Sequence, residues 1–188
     1  MRKIPSVFVR DATGAATKEV TPGCEWVLAG EGRATVKLDG TACMVRDGVM
    51  FRRYDAKDPP GGWEPCSDEP APNGHWPGWL PVGDGKADAW HRDAFARMSP
   101  LANGTYELIG PKVQDNPYGL HHHELHRHGA STCPIDDLPG PRTFEKIKTY
   151  LQRVTIEGIV FHHPDGRMAK VKRRDFGAAW PPKEWRRP

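Results

Sequence analysis

Lys37, in Lys37-Leu38-Asp39-Gly40, is a lysine followed two residues later by an acid and then by a glycine. Three later segments carry chemistry that goes with it, always in the same order: Glu107 in Tyr106-Glu107-Leu108-Ile109-Gly110, Glu157 in Glu157-Gly158-Ile159-Val160, and the pair in Lys170-Val171-Lys172. A lysine attacks only as the neutral amine, so a chain that uses one as a nucleophile must depress its pKa by desolvation or by nearby cations. Lys170 and Lys172 are such cations. Two apart on a strand they share a face, can converge on one phosphate group, and can stabilise the charge that gathers on phosphorus oxygens during displacement. Asp39, Glu107 and Glu157 supply hard oxygens of the kind that hold hydrated magnesium in phosphate chemistry. Asp39 falls on the face of Lys37 if the strand runs through both. Gly40 and Gly158 follow two of the acids, where a backbone can approach a nucleotide closely. Singly, each segment has a plainer reading: Lys-x-Asp-Gly as a hairpin turn, Lys-x-Lys as a solvated edge strand, Glu as an exposed strand residue. Their ordered combination points instead to attack by Lys37 on a nucleotide phosphate.

The elements that must position these residues are legible in outline. After a polar start, 34–37 and 42–45 read as strands, and Arg46-Asp47-Gly48 turns the chain back into a strand over 49–54. From Asp55 to Gly85 the chain is dense in Pro and Gly around Trp63, Trp76 and Trp79, which predicts a long aromatic loop without helix. Ala89, Trp90, Ala94, Phe95 and Met98 recur at helical spacing, so a helix is expected over 86–98, ended by Ser99-Pro100. A strand over 105–109 follows, stopped by Gly110-Pro111. A second amphipathic helix begins near Thr143, with Phe144, Ile147, Tyr150 and Leu151 on one face. Strands 158–162 and 168–173 flank the turn Pro164-Asp165-Gly166. With no internal repeat, strands distant in sequence must pair across the helices, which makes the class α+β.

The length of 188 residues suits one domain over 1–188, and 37% apolar with 27% charged residues excludes disorder throughout. No apolar run approaches a membrane span and no secretory h-region opens the chain, so a cytoplasmic protein without a membrane partner is expected. Cys24, Cys43, Cys66 and Cys133 are widely spaced and read as reduced thiols. From Pro141 onward, 12 Lys and Arg face 5 Asp and Glu, which suits an anionic partner such as a nucleic-acid backbone.

The four segments resemble the covalent nucleotidyltransferases, the superfamily of ATP-dependent RNA and DNA ligases and mRNA capping enzymes. Lys37 to Gly40 is similar to their nucleotidyl-lysine motif, Tyr106-Glu107-Leu108 to the third motif, Glu157-Gly158-Ile159-Val160 to the fourth, and Lys170-Val171-Lys172 to the fifth. Small single-domain RNA ligases of viruses, bacteria and vertebrates are the nearer likeness. It is carried by Lys37 to Thr41, Gly74-His75-Trp76-Pro77-Gly78-Trp79, Glu107 to Pro111 and Asn116-Pro117-Tyr118-Gly119. Ala42 stands where many DNA ligases and capping enzymes have Arg, which favours the RNA-ligase branch.

The resemblance implies an adenylyltransferase fold with mainly antiparallel sheets flanked by helices, here without an appended OB-fold, so that either the core seals RNA alone or a protein partner assists. It implies ATP as co-substrate with magnesium or manganese, and RNA carrying a 5′-phosphate and a 3′-hydroxyl as partner. By motif, Lys37 is the nucleophile; Asp39, Glu107 and Glu157 surround the metal or ribose; Lys170 and Lys172 contact the α-phosphate; Val160 packs on adenine. Gly40 belongs to the same nucleotide-binding set, with a phosphate-binding arginine that is either Arg52 or Arg53. A nucleotide-binding protein that adenylylates without sealing, and a GTP-using capping-type enzyme, are the alternatives. His121, His122, His123, His126 and His128 with Cys133 offer spacings that zinc accepts, but no second compact ligand pair completes the set, and loop structure or phosphate contact is the favoured reading. The three tryptophans are expected to pin the Pro-rich loop, and Lys183, Arg186 and Arg187 are candidates for holding RNA phosphates.

Overall fold

The computed structural model describes residues 3–68, 70 and 74–182. In chain order the elements are β1 (Phe8–Arg10), β2 (Ala16–Val20), α1 (Glu25–Leu28), β3 (Arg33–Lys37), β4 (Thr41–Arg46), β5 (Val49–Ala56), β6 (Glu64–Pro65), β7 (Trp76–Pro81), α2 (Ala89–Met98), β8 (Gly104–Ile109), β9 (Glu124–Arg127), α3 (Phe144–Arg153), β10 (Gly158–His162) and β11 (Met168–Lys172). Every pairing between these strands is antiparallel and the helices are few, so the chain is α+β. It forms two compact units, and the backbone passes from one to the other between Leu38 and Asp39 and again between His128 and Gly129. Among the described residues no helix is long and apolar enough to cross a membrane. The four cysteines are free thiols.

The unit that holds residues 4–38 and the chain from Gly129 onward is built on a sheet of order β11-β10-β3. Along β10 and β11 alternate residues face the core: Ile159, Phe161, Ala169 and Val171 are buried, and Ile147, Tyr150 and Leu151 of α3 pack into the same cluster. Thr143 caps α3, accepting a hydrogen bond from the Lys146 N–H at 3.1 Å. At the other end of α3, Arg173 donates to the carbonyls of Leu151, at 2.9 Å, and Val154, which satisfies acceptors the helix leaves open. The Arg173 N–H also donates to the Glu157 carbonyl at 2.8 Å, so the turn between α3 and β10 is fixed from both sides.

The unit of residues 39–128 is a six-stranded sheet of order β6-β7-β5-β4-β8-β9. Cys43, Val45, Met50, Tyr106, Leu108 and Leu125 form its buried face with Ala94 of α2. Asp47 and Gly48, at φ 52° and 76°, make the tight turn between β4 and β5.

Three regions hold elements that the sequence reading does not anticipate. The polar start is structured: β1 and β2 form a hairpin, and Val7, Phe8, Cys24, Trp26 and Val27 are core residues. Strands of three and five residues are too short for alternation to reveal. The loop expected from Asp55 to Gly85 contains β6 and β7, with β7 laid against β5 from Phe51↔Pro81 to Ala56↔Trp76. Pro77 and Pro81 are tolerated because β6 covers β7 at only two positions, leaving it close to an edge strand. Part of the His-rich stretch is β9, whose Leu125 faces the core while His126 lies on the other face opposite Glu107. The tryptophans pin this region as expected: Trp63 and Trp76 meet edge to face at 5.2 Å, Trp63 donates to the Tyr54 carbonyl, and Trp79 is buried. Lys183, Arg186 and Arg187 lie outside the described residues.

Candidate functional site

Register sets the arrangement in the first unit. Gly158 is the cross-strand partner of both Lys37 and Lys172, and Val160 is the partner of both Thr35 and Lys170. Partners in a ladder point to the same side of the sheet, so Lys37, Lys172, Lys170 and Val160 share the face opposite the core. Gly158 has no side chain to separate the two lysines, and Glu157, one residue earlier, reaches between them. Its buried carboxylate places Oε2 2.6 Å from Lys37 Nζ and Oε1 2.6 Å from Lys172 Nζ. Lys37 Nζ also donates to the Leu38 carbonyl at 3.2 Å. The Lys170 ammonium makes no hydrogen bond or ion pair among the described residues. Its pKa is lowered to about 8, chiefly by burial, then by the charges of Lys172, Lys37 and Arg10, with Glu157 opposing.

In the second unit Glu107 is the hub. Its Oε1 accepts the Gly40 N–H at 3.0 Å, and its Oε2 lies 2.7 Å from His128 Nε2. The Asp39 N–H donates to the Tyr118 hydroxyl at 2.7 Å. The strand carrying Lys37 stops at Lys37, so the alternation expected to put Asp39 on its face does not extend that far. The two glycines also have a structural role in their sheets. A Cβ on Gly40 would lie 2.2 Å from the Leu108 carbonyl oxygen, and one on Gly158 2.2 Å from that of Val171, so what each glycine admits is a neighbouring strand.

Arg52 and Arg53 separate cleanly. Arg52, partner of Cys43, lies on the core side, where its Nε is 2.6 Å from Asp88 and its guanidinium stacks over Tyr54. Arg53 lies on the other side, with Glu107, against Trp79 and within 3.4 Å of Cys66 Sγ.

As a direct metal-binding set the three acids fit poorly, because Glu107 and Glu157 have both carboxylate oxygens engaged by protein donors. The histidines pair mostly with acids: His123 with Asp93 at 2.9 Å, His122 and His126 with Glu124 at 3.1 and 2.8 Å. Cys133 belongs to the first unit, where its thiol meets the Tyr150 hydroxyl. Among the described residues no group of three or more His, Cys, Asp or Glu is arranged to hold a metal.

Motif reasoning misses two residues and part of the role of a third. His128, the histidine before Gly129, fits the pattern of the resemblance as a phosphate contact or loop residue, but its tie to Glu107 depends on the β8–β9 register. Arg10 and Asp175 carry no motif; Asp175 accepts the Lys172 N–H at 2.8 Å and pairs with Arg10 at 2.9 Å.

A family model described as RNA ligase 1 matches residues 94–186. RNA ligase 1 of Mus musculus is 31% identical over 270 aligned positions, taking in 96% of this chain and 81% of the relative. The Rattus norvegicus protein of the same name is 30% identical, with 96% and 82% covered, and that of Danio rerio 26% identical with the same coverage. Similarity at this level runs through both units and most of each relative, and the chain belongs to the RNA ligase 1 family.

Proposed function

We propose that the protein is an ATP-dependent RNA ligase that works through a covalent AMP on Lys37, on a nucleotidyltransferase-type fold. The observation that carries this reading is the rung Lys37–Gly158–Lys172 with Glu157 held 2.6 Å from both ammonium groups and Lys170 alongside. Lys37 must lose a proton before it attacks, and Glu157 Oε2 is the carboxylate oxygen in contact with it. The amine then forms a bond to the α-phosphorus of ATP as the bond from that phosphorus to the bridging oxygen breaks, releasing pyrophosphate. Lys172 and Lys170 face the same position and would offset the charge that develops on the α-phosphate oxygens. Val160, on that face, is the surface offered to adenine. In the second step an oxygen of the RNA 5′-phosphate attacks the α-phosphorus, the phosphorus–nitrogen bond breaks, and Lys37 takes back a proton. In the third, the 3′-hydroxyl oxygen of the other strand attacks the 5′-phosphorus, AMP leaves, and the hydroxyl proton is released.

Asp39, Gly40 and Glu107 are assigned to nucleotide binding by their motifs, with Arg53 preferred to Arg52 because Arg52 lies on the core side whereas Arg53, paired with Asp55, lies on the face of Glu107. Magnesium, or manganese, is proposed as the ion that accompanies ATP and neutralises its phosphates. Glu107 and Glu157 already serve protein donors, so no step is routed through a protein-bound metal. A cytoplasmic setting belongs to the same proposal. The test is incubation with ATP labelled at the α-phosphate. Label should stay on the protein after denaturation, disappear in K37A, and pass to a 5′-phosphorylated RNA that is then sealed. Label retained by K37A would overturn the choice of nucleophile; label with GTP in place of ATP would favour a capping-type reaction; label without sealing would favour a protein that adenylylates only.

A further inference from the structure

The N-terminal segment brings a fourth cation to the lysine face. Pro5 to Val7 runs parallel to β11 at Lys170: the Lys170 N–H donates to the Pro5 carbonyl at 2.9 Å, and the Val7 N–H to the Lys170 carbonyl at 2.8 Å. Val7 and Phe8 are buried, so the chain is anchored there before it reaches Arg10. Arg10 Nη2 lies 2.9 and 3.1 Å from the two oxygens of Asp175, and the Asp175 carboxylate, 3% exposed, also receives the Lys172 N–H.

Charge on this face is unbalanced. Glu157 is shared by Lys37 and Lys172, and Asp175 is taken by Arg10. Lys170 has no carboxylate of its own among the described residues, and the lowering of its pKa registers both its burial and the presence of Lys172, Lys37 and Arg10. Two carboxylates therefore face four cations, and a half-buried excess of positive charge is stabilised by an anion. Arg10 is about one-third exposed, and beyond the Nη2 contacts its Nε and Nη1 have no partner among the described residues. Either nitrogen can donate a charge-assisted hydrogen bond to a phosphate oxygen.

We propose that Arg10 and Lys170 form a second phosphate subsite beside the position assigned to the α-phosphate. Its ligand is a phosphate group other than the α-phosphate: the β- and γ-phosphates that leave as pyrophosphate, or the 5′-phosphate of the RNA end. The placement beside an α-phosphate rests on the lysyl-AMP reading, whereas the subsite itself is tested by equilibrium binding that needs no covalent chemistry.

The wild type, R10A and R10K are titrated calorimetrically with inorganic pyrophosphate and, separately, with a 5′-phosphorylated oligoribonucleotide and its 5′-hydroxyl counterpart. Loss of charged hydrogen bonds predicts that R10A weakens one of the phosphate ligands by about 10- to 100-fold, while R10K loses less and the 5′-hydroxyl strand is unaffected. The arm that responds names the source of the phosphate. R10A binding both ligands normally would overturn the subsite. R10K decides the nature of the contact: binding retained by lysine supports a cation at this position, and binding as poor as in R10A, in a variant whose thermal melt is unchanged, refutes it. A protein that never takes up label from ATP but still loses phosphate binding in R10A would refute the lysyl-AMP reading and leave the subsite standing.

Discussion

Gly158→Ala should disable the lysine face while leaving the fold in place. Gly158 lies in one rung with Lys37 and Lys172, and an added Cβ would stand 2.2 Å from the Val171 carbonyl oxygen and 3.0 Å from Lys172 Cα. Carbon and oxygen in contact keep about 3.3 Å apart, so β11 must shift by roughly 1 Å. The obstacle is backbone in a paired strand, with no flexible tip to swing aside. Nor can β11 yield freely, since Ala169 and Val171 are packed in the core at 0% and 1% exposure. Overpacking of this kind costs about 1–3 kcal/mol, which in a protein of this size lowers Tm by roughly 2–12 °C. Lys172 would leave its 2.6 Å contact with Glu157, and a misplacement of about 1 Å costs on the order of 100-fold in rate. Single-turnover labelling with α-labelled ATP measures the rate, and a thermal melt measures the stability. Gly61→Ala is the control, because a Cβ there meets nothing within 4 Å. G158A labelling within threefold of the wild type, with an unchanged melt, would refute the idea that this close approach sets the geometry.

Three further outcomes follow from the same charges. Glu157→Gln removes the carboxylate shared by two lysines, so labelling should slow sharply while ATP binds at least as tightly as to the wild type; weaker ATP binding with a normal labelling rate would contradict the role given to Glu157. Lys170 binds its proton with a pKa of about 8 when folded, against 10.5 for the free side chain. Between those pH values the unfolded chain holds the extra proton, so this residue makes stability rise with pH from about 8 to 10.5, with the penalty fully present below 8. Lys170→Met should flatten that part of the stability profile. Pyrophosphate binding should weaken above about pH 8 in the wild type, as the cation facing Lys37, Lys172, Arg10 and Glu157 is lost, and a binding profile level across that range would count against Lys170 as a phosphate contact.

What could be read from the sequence was whatever short-range pattern encodes. Alternation over Gly158 to His162 and Met168 to Lys172 gave both strands and put the two lysines on one side, and the observed bounds agree within a residue. The 3.6-residue period of Phe144, Ile147, Tyr150 and Leu151 gave α3 with its Thr143 cap. Patterns fail where an element is too short to repeat, as in β1, or where composition argues the other way, as with prolines in β7 and histidines in β9. The difference between Arg52 and Arg53 could not be read locally, because neighbours on a strand are told apart only once it is known which side the helix covers.

The same reasoning explains why the lysine face was only half visible. Lys37, Glu157, Lys170 and Lys172 are recognisable because each sits in a segment with its own character, and the ladder Lys37↔Gly158↔Lys172 then brings them together across 120 residues of chain. Arg10 and Asp175 are 165 residues apart, lie in segments with no such character, and acquire meaning only through the pairing of Pro5–Val7 with Lys170. Yet Asp175 holds the backbone of Lys172 as firmly as Glu157 holds its ammonium, at 2.8 and 2.6 Å. A reading confined to motifs therefore finds the groups that touch the phosphate and overlooks the groups that keep them where they are. In this chain the overlooked pair includes an arginine with donors to spare, which is why it is assigned a ligand as well as a supporting role.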